Sequence, residues 1–255
     1  MDKGSVAGVA LAIAGIFAGL LMEGGNVGQI LQPTAFLIVF GGTIGAVLLQ
    51  FPLATVVAAF RSLAHVFAAP RKESDQIVRL LMTYANKARR NGVVSLDSDL
   101  AAIQDPFLRQ SIMLAVDGTE PAELRKIMRV TLDSATEREE NLPAVFESAG
   151  GFSPTIGILG AVLGLIQVMQ HLDNIQEVGH GIAVAFVATI YGVGAANLFF
   201  LPFAGKMRLR AHADERRREM ILEGVISILE GMNPRMIEVK LSGFIDAPVR
   251  QERAA

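Results

Sequence analysis

FSPTIGILGAVLGLIQVMQHL, residues 152–172, lies in a stretch from Ser148 to Leu172 that holds no Asp, Glu, Lys or Arg. An α-helix rises about 1.5 Å per residue, so about 20 apolar residues cross the roughly 30 Å hydrocarbon core of a bilayer. The stretch is read as a membrane span. Charge is also missing from Gly24 to Phe60, from Val178 to Gly205, and from the segment Ser5 to Met22. The expected spans are residues 5–22, 34–54, 152–172 and 181–204. The fold class is all-α: an integral membrane chain of four transmembrane helices with a helical cytoplasmic cap. Four uncharged stretches of this length argue against the buried helices of a large soluble core. Lys3 ahead of an apolar run looks like the start of a signal peptide. The run is too long and no small-x-small cleavage site follows, so a mature helix is expected.

The 255 residues are 51% hydrophobic and 19% charged, below the quarter usual for soluble domains. A net charge of −2 gives no global basic field for nucleic acid. With no cysteine there is no disulfide framework, thiolate metal site or Cys nucleophile. The four histidines are scattered without metal-ligand spacing. No nucleophile–base pairing or phosphate loop supports a membrane enzyme. The expectation is no enzyme activity, no metal and no cofactor.

Charge also sets the topology. The short connections 23–33 and 173–180 carry Glu23, Asp173 and Glu177 and no basic residue. All 23 Lys and Arg fall at the N-terminus, within 61–147 or after Gly205. Basic residues near span ends stay cytoplasmic. Arg61, Arg71 and Lys72 follow span two, and Lys206, Arg208, Arg210 and Arg216–Arg218 follow span four. Both termini and both large polar segments are therefore expected in the cytoplasm. The expected organisation is a hairpin of spans over 1–60, a helical region over 61–147, a second hairpin over 148–205, and a helix with a tail over 206–255. Arg216–Arg218 is flanked by Asp214, Glu215 and Glu219, which fits a solvated or headgroup-facing helix face rather than a nucleic-acid site.

Within 61–147, 12 basic and 13 acidic residues nearly balance. Ser74 can cap a helix whose Ile77, Leu80, Leu81 and Tyr84 share a face, ended by Asn91-Gly92. Val93–Leu100 and Asp117-Gly118 read as turns. A helix after Thr119 carries Leu124, Ile127, Met128, Thr131 and Leu132 on one stripe. After span four, Ala213–Glu230 reads as a helix with Ile221, Leu222, Val225, Ile226 and Leu229 inward, stopped by Gly231 and Asn233-Pro234.

The spans are rich in small residues: Gly41, Gly42, Gly45 and Ala46; Gly157, Gly160, Ala161 and Gly164; Gly181, Ala185, Ala188, Gly192 and Ala196. At spacings of three and four these let helix backbones approach closely in lipid. What the spans lack is ionisable chemistry. Ion carriers keep a carboxylate or histidine at membrane depth. Here His171 and His180 stand only at the outer ends of spans three and four, as interfacial groups. If the chain conducts ions, another chain must supply the carboxylate. Ser153-Pro154 is expected to cap and open span three, and Pro202 to punctuate or kink span four near its inner end.

Several motifs together resemble the A-subunit family of bacterial flagellar stators, with its MotA, PomA, MotC and MotP branches. They are EGG at Glu23, GGT at Gly41, KARRNGVVSLD (Lys87–Asp97), VDG (Val116–Gly118), SPTIGILGAVLGL (Ser153–Leu165), AVAFVATIYG (Ala183–Gly192), FLPFAGKM (Phe200–Met207) and GMNPRMIE (Gly231–Glu238). The resemblance implies a ring of several copies, five in the usual picture, around two single-span MotB-type partners that each carry a membrane Asp. Proton transfer at that Asp would step the ring and push the rotor protein FliG. It implies coupling roles for Pro154 and Pro202. It implies a rotor contact at Arg89 and Asp97, with Asp97 standing where the family usually has Glu and Arg90 adding a neighbouring charge. Threonine hydroxyls line the ion route in sodium-driven members. Thr189 keeps one, whereas the matching position on span three is Ala161, which points to protons. Gly157, Gly160, Gly164 and Gly192 would pack helices. The partners implied are a MotB-type subunit, FliG, further copies of this chain and membrane lipid, with no nucleic acid, in the bacterial inner membrane. The nearest rival is the ExbB/TolQ branch, which energises envelope transport with three spans and an outside N-terminus.

Overall fold

The computed structural model describes residues 3–66 and 74–244. Arg71 and Lys72 lie outside the described residues, as does the proposed capping side chain of Ser74. All regular structure in the described residues is helical. Four helices are long and apolar enough to span a membrane: α1 (Lys3–Met22), α2 (Pro33–Gln50), α6 (Pro121–Gln170) and α7 (Ile175–Leu229). Between them come α3 (Leu53–Val66), α4 (Ser74–Asn91), a 3₁₀ helix (Val93–Ala102) and α5 (Pro106–Val116). The short α8 (Pro234–Ser242) follows α7.

Three expectations need correction. Span two ends at Gln50 rather than residue 54, because Phe51 is extended (φ −119°, ψ 146°). Phe51 precedes Pro52, and a proline pushes its predecessor out of the helical region. Ser153-Pro154 does not open a helix: α6 begins at Pro121 and passes through Pro143 and Pro154 unbroken. Ser153 is fully buried there, and its hydroxyl donates to the Gly192 carbonyl at 3.0 Å. The segment after Gly92 is a 3₁₀ helix rather than a turn. Gly92 (φ 79°) ends α4, and the Ser95 hydroxyl and amide both donate to its carbonyl, winding the next residues in steps of three.

The chain divides into two compact units, Met1–Pro70 with Glu139–Leu209, and Arg71–Arg138 with Arg210–Ala255. In the first unit, α6 and α7 touch backbone to backbone. A Cβ built on Gly157 would lie 2.9 Å from the Ala188 carbonyl oxygen, and one on Gly192 would lie 2.5 Å from that of Ser153. Nearer the hairpin tip, a Cβ on Gly164 would lie 2.8 Å from the Gly181 oxygen. Gly160 admits Ile38 of α2 and Ala188 of α7 in the same way. Tyr191 ties the loop before α2 to α7: its hydroxyl donates to the Ile30 carbonyl at 2.6 Å. A second cluster in this unit joins Val47, Val56, Ala59, Val145, Phe146, Ala204 and Met207.

The second unit has its own core. Ile77, Leu81 and Tyr84 of α4 meet Leu108 and Ile112 of α5, Leu124, Met128 and Leu132 of α6, Ile221, Leu222 and Val225 of α7, and Ile237 and Leu241 of α8. The expected apolar faces are buried or half-buried, with Leu80, Thr131 and Leu229 at their edges, except that Ile127 is exposed. Gly231 (φ 70°) ends α7 as expected, but Asn233 then caps a helix that the sequence reading missed, accepting from the Arg235 amide at 3.0 Å.

Candidate functional site

Within the first unit, α6 and α7 carry the residues expected to serve ion passage. Ala161 is half-buried and supplies no oxygen. Thr189 is half-buried too, and its hydroxyl donates to the Ala185 carbonyl at 3.3 Å, which leaves the oxygen's lone pairs as acceptors. Pro154 is half-buried in the interior of α6, where its missing N–H leaves the Gly150 carbonyl without its usual helical donor. Pro202 is exposed and follows a π-turn, Ala196–Phe200, where the helix widens by one residue. Such turns recur at functional positions. A second π-turn, Leu37–Gly41, lies in α2.

Gly157, Gly160, Gly164 and Gly192 are all buried at close helix contacts. Gly41 and Gly45 differ, because a Cβ on either would meet nothing within 4 Å. Within the spans, the described residues hold no carboxylate, Lys or Arg at membrane depth. His171 sits at the hairpin tip 3.3 Å from Glu177. Thr155 and Asn197 are polar, exposed and within the spans, and sequence reading passed over both. A scan for charge cannot find hydroxyls and amides.

In the second unit, Arg89, Arg90 and Asp97 are exposed at the end of α4 and in the 3₁₀ helix. Among the described residues none of the three carries an ion pair. The local ion pair is instead Lys87–Asp99 at 2.7 Å, with Lys87 also donating to the Ser98 hydroxyl at 3.0 Å. That pair bridges α4 and the 3₁₀ helix, which buried Leu96 seats in the same core as Leu81 and Tyr84 of α4.

Deeper in this unit, Glu223 of α7 accepts from Arg125 of α6 and pairs with Lys240 of α8 at 2.8 Å. Burial pushes its carboxyl upward. The hydrogen bonds and charges of Arg125 and Lys240 outweigh that and hold it below the usual range. Asp105 caps α5 by accepting from the Leu108 amide at 2.9 Å, and its other oxygen pairs with Arg217.

Residues 6–92 match the family model for the motility protein A N-terminal region, and residues 99–220 match that of the MotA/TolQ/ExbB proton channel family. Motility protein A of Bacillus subtilis is 34% identical, over 98% of this chain and 93% of that protein. The chain belongs to the motility protein A family of flagellar stator subunits. Two solved assemblies share its fold across 96% of both chains. One is C. jejuni MotAB (TM-score 0.91, 31% identity) and the other the flagellar MotAB stator complex from Bacillus subtilis (TM-score 0.87, 34% identity). The match over residues 6–92 covers α1 and α2, so the similarity is to the four-span stator chain along its length and favours it over the ExbB/TolQ branch. Like those relatives, this is a multi-pass membrane protein.

Proposed function

We propose that copies of this chain form a ring, five in number, around two single-span MotB-type subunits in the bacterial inner membrane, and that proton passage between ring and partner turns the ring against the rotor. Both termini and the unit built on Glu223 face the cytoplasm in this reading. Arg89, Arg90 and Asp97 touch FliG there, and Pro154 and Pro202 couple helix movement to proton transfer. One observation carries the reading: helices that pack at van der Waals distance through Gly157, Gly164 and Gly192 contain no group able to hold a proton at depth. A carboxyl on a partner helix completes the site, and the solved structures that share the fold are of MotAB. Ala161 offers no oxygen to a partly dehydrated sodium ion, which favours protons.

The test is expression with and without a MotB-type partner in cells lacking stators. Swimming and proton entry are expected only when both chains are present. Swimming that needs no such partner would refute the reading.

A further inference from the structure

The charge-free stretch Val178–Gly205 contains four polar side chains, His180, Thr189, Tyr191 and Asn197. His180 stands at its outer edge. Tyr191 is tied to Ile30, and Thr189 is turned onto its own helix. Asn197 is exposed, and it is the second residue of the π-turn Ala196–Phe200. Its Nδ2 donates to the Val193 carbonyl at 2.9 Å, which uses one of two N–H bonds. The second N–H and both lone pairs of Oδ1 have no partner among the described residues. Asn197 precedes Lys206 by nine residues, about 13 Å along a helix, and follows Thr189 by about 12 Å. An amide at that depth is costly against lipid tails and is retained where water or protein answers it.

We propose that Asn197 is a further positioning residue of the proton path, on the cytoplasmic side of Thr189. This rests on the reading of a proton-conducting complex with a MotB-type partner. Asn197 takes up no proton. Its Oδ1 accepts from, and its outward N–H donates to, water in a chain that carries the proton between the partner's carboxyl and the cytoplasm. Spacings of about 12 and 13 Å are too long for one hydrogen bond, so water must fill both. The bond to Val193 fixes the amide's direction.

The test uses the full ring–partner complex in vesicles with an imposed pH gradient and an internal pH dye. Asn197→Leu keeps size and removes hydrogen bonding, while Asn197→Gln and Asn197→Ser restore it. Asn197→Leu is expected to assemble with the partner as the parent does and to pass protons at least tenfold more slowly. Asn197→Gln or Asn197→Ser is expected to recover most of the rate. Parental flux in Asn197→Leu would overturn the inference, and so would loss of partner assembly in Asn197→Leu, which would make Asn197 a packing contact. A parental complex that passes no protons would instead sink the functional reading beneath it.

Discussion

Gly192 carries the tightest constraint at the scale of single residues, because the group opposing it is backbone. A Cβ there would lie 2.5 Å from the Ser153 oxygen and 3.0 Å from the Gly157 Cα. Neither atom can turn aside as a flexible side chain would. Gly192→Ala must therefore push α6 and α7 apart and strain the Ser153–Gly192 hydrogen bond, at a cost of about 1–3 kcal/mol. Gly45→Ala meets nothing within 4 Å and is expected to leave the subunit's fold unchanged. The comparison is read as the yield of monodisperse protein in detergent: a several-fold loss for Gly192→Ala, parental yield for Gly45→Ala. Equal yields would mean that the close approach bears no load. Spacing alone announced this face, since glycines at intervals of three and four occur where backbones meet. It did not announce that Gly41 and Gly45 stay open, because which glycine meets a neighbour depends on the crossing of two helices. Nor did it separate Arg89 and Asp97 from the Lys87–Asp99 pair beside them. Charges a few residues apart look alike until the 3₁₀ winding after Gly92 fixes which side chains meet.

Helix ends show the same division at the scale of elements. Asn91-Gly92 and Gly231 were legible as stops because a left-handed backbone, φ 79° and 70°, suits glycine. Ser153-Pro154 misled because a serine before a proline marks a helix start in water-soluble contexts. Inside α6 the serine finds its acceptor on another helix instead. The long α6 and α7 also hid their length, since membrane and polar halves have unlike patterns and one helix was read as two. In the polar halves, three helices are fastened at a single carboxylate. Glu223 is 21% exposed and binds Arg125 and Lys240, which hold its protonation below the ordinary range despite burial. A carboxyl with a depressed folded pKa contributes stability that is present above its unfolded value and is lost as pH falls through the folded one. Glu223→Gln is expected to weaken the docking of α8 by about 1–2 kcal/mol at neutral pH. Amide hydrogen exchange in α8, corrected for intrinsic rate, measures the opening. The gap between parent and variant should narrow only as pH falls below the ordinary glutamate range and through the depressed folded pKa of Glu223, where its carboxyl at last takes up a proton. A gap that persists in acid would place the effect in packing rather than charge.

Across the whole molecule, charge is sorted. Titratable groups crowd the second unit and the helix ends, while the described surface of the spans is made of apolar groups, hydroxyls and a few amides. That sorting was the most legible property of the sequence, because expelling charge from hydrocarbon leaves long uncharged runs. The choice of ion follows from the same accounting, worked in oxygens. Sodium entering a narrow helix interface sheds part of its water and needs fixed oxygens in place of it. Thr189 offers a hydroxyl oxygen, Ala161 offers none, and Thr155 turns its hydroxyl to the Phe152 carbonyl at 2.8 Å. The carbonyls on the helical turns around Ala161 are engaged in their own ladder, about three turns from the Gly150 carbonyl that Pro154 leaves open, so they are poor substitutes. A proton has no such need, since it travels along hydrogen bonds and one acceptor is enough at each step. Swimming speed at fixed pH is therefore expected to be unchanged when potassium replaces sodium and to fall when the proton gradient is collapsed. Ala161→Thr adds the missing oxygen and should leave the potassium speed within about two-fold, as neighbouring water still carries protons. Strict dependence of the parental speed on sodium would place the required oxygens on the partner and remove Ala161 from the argument.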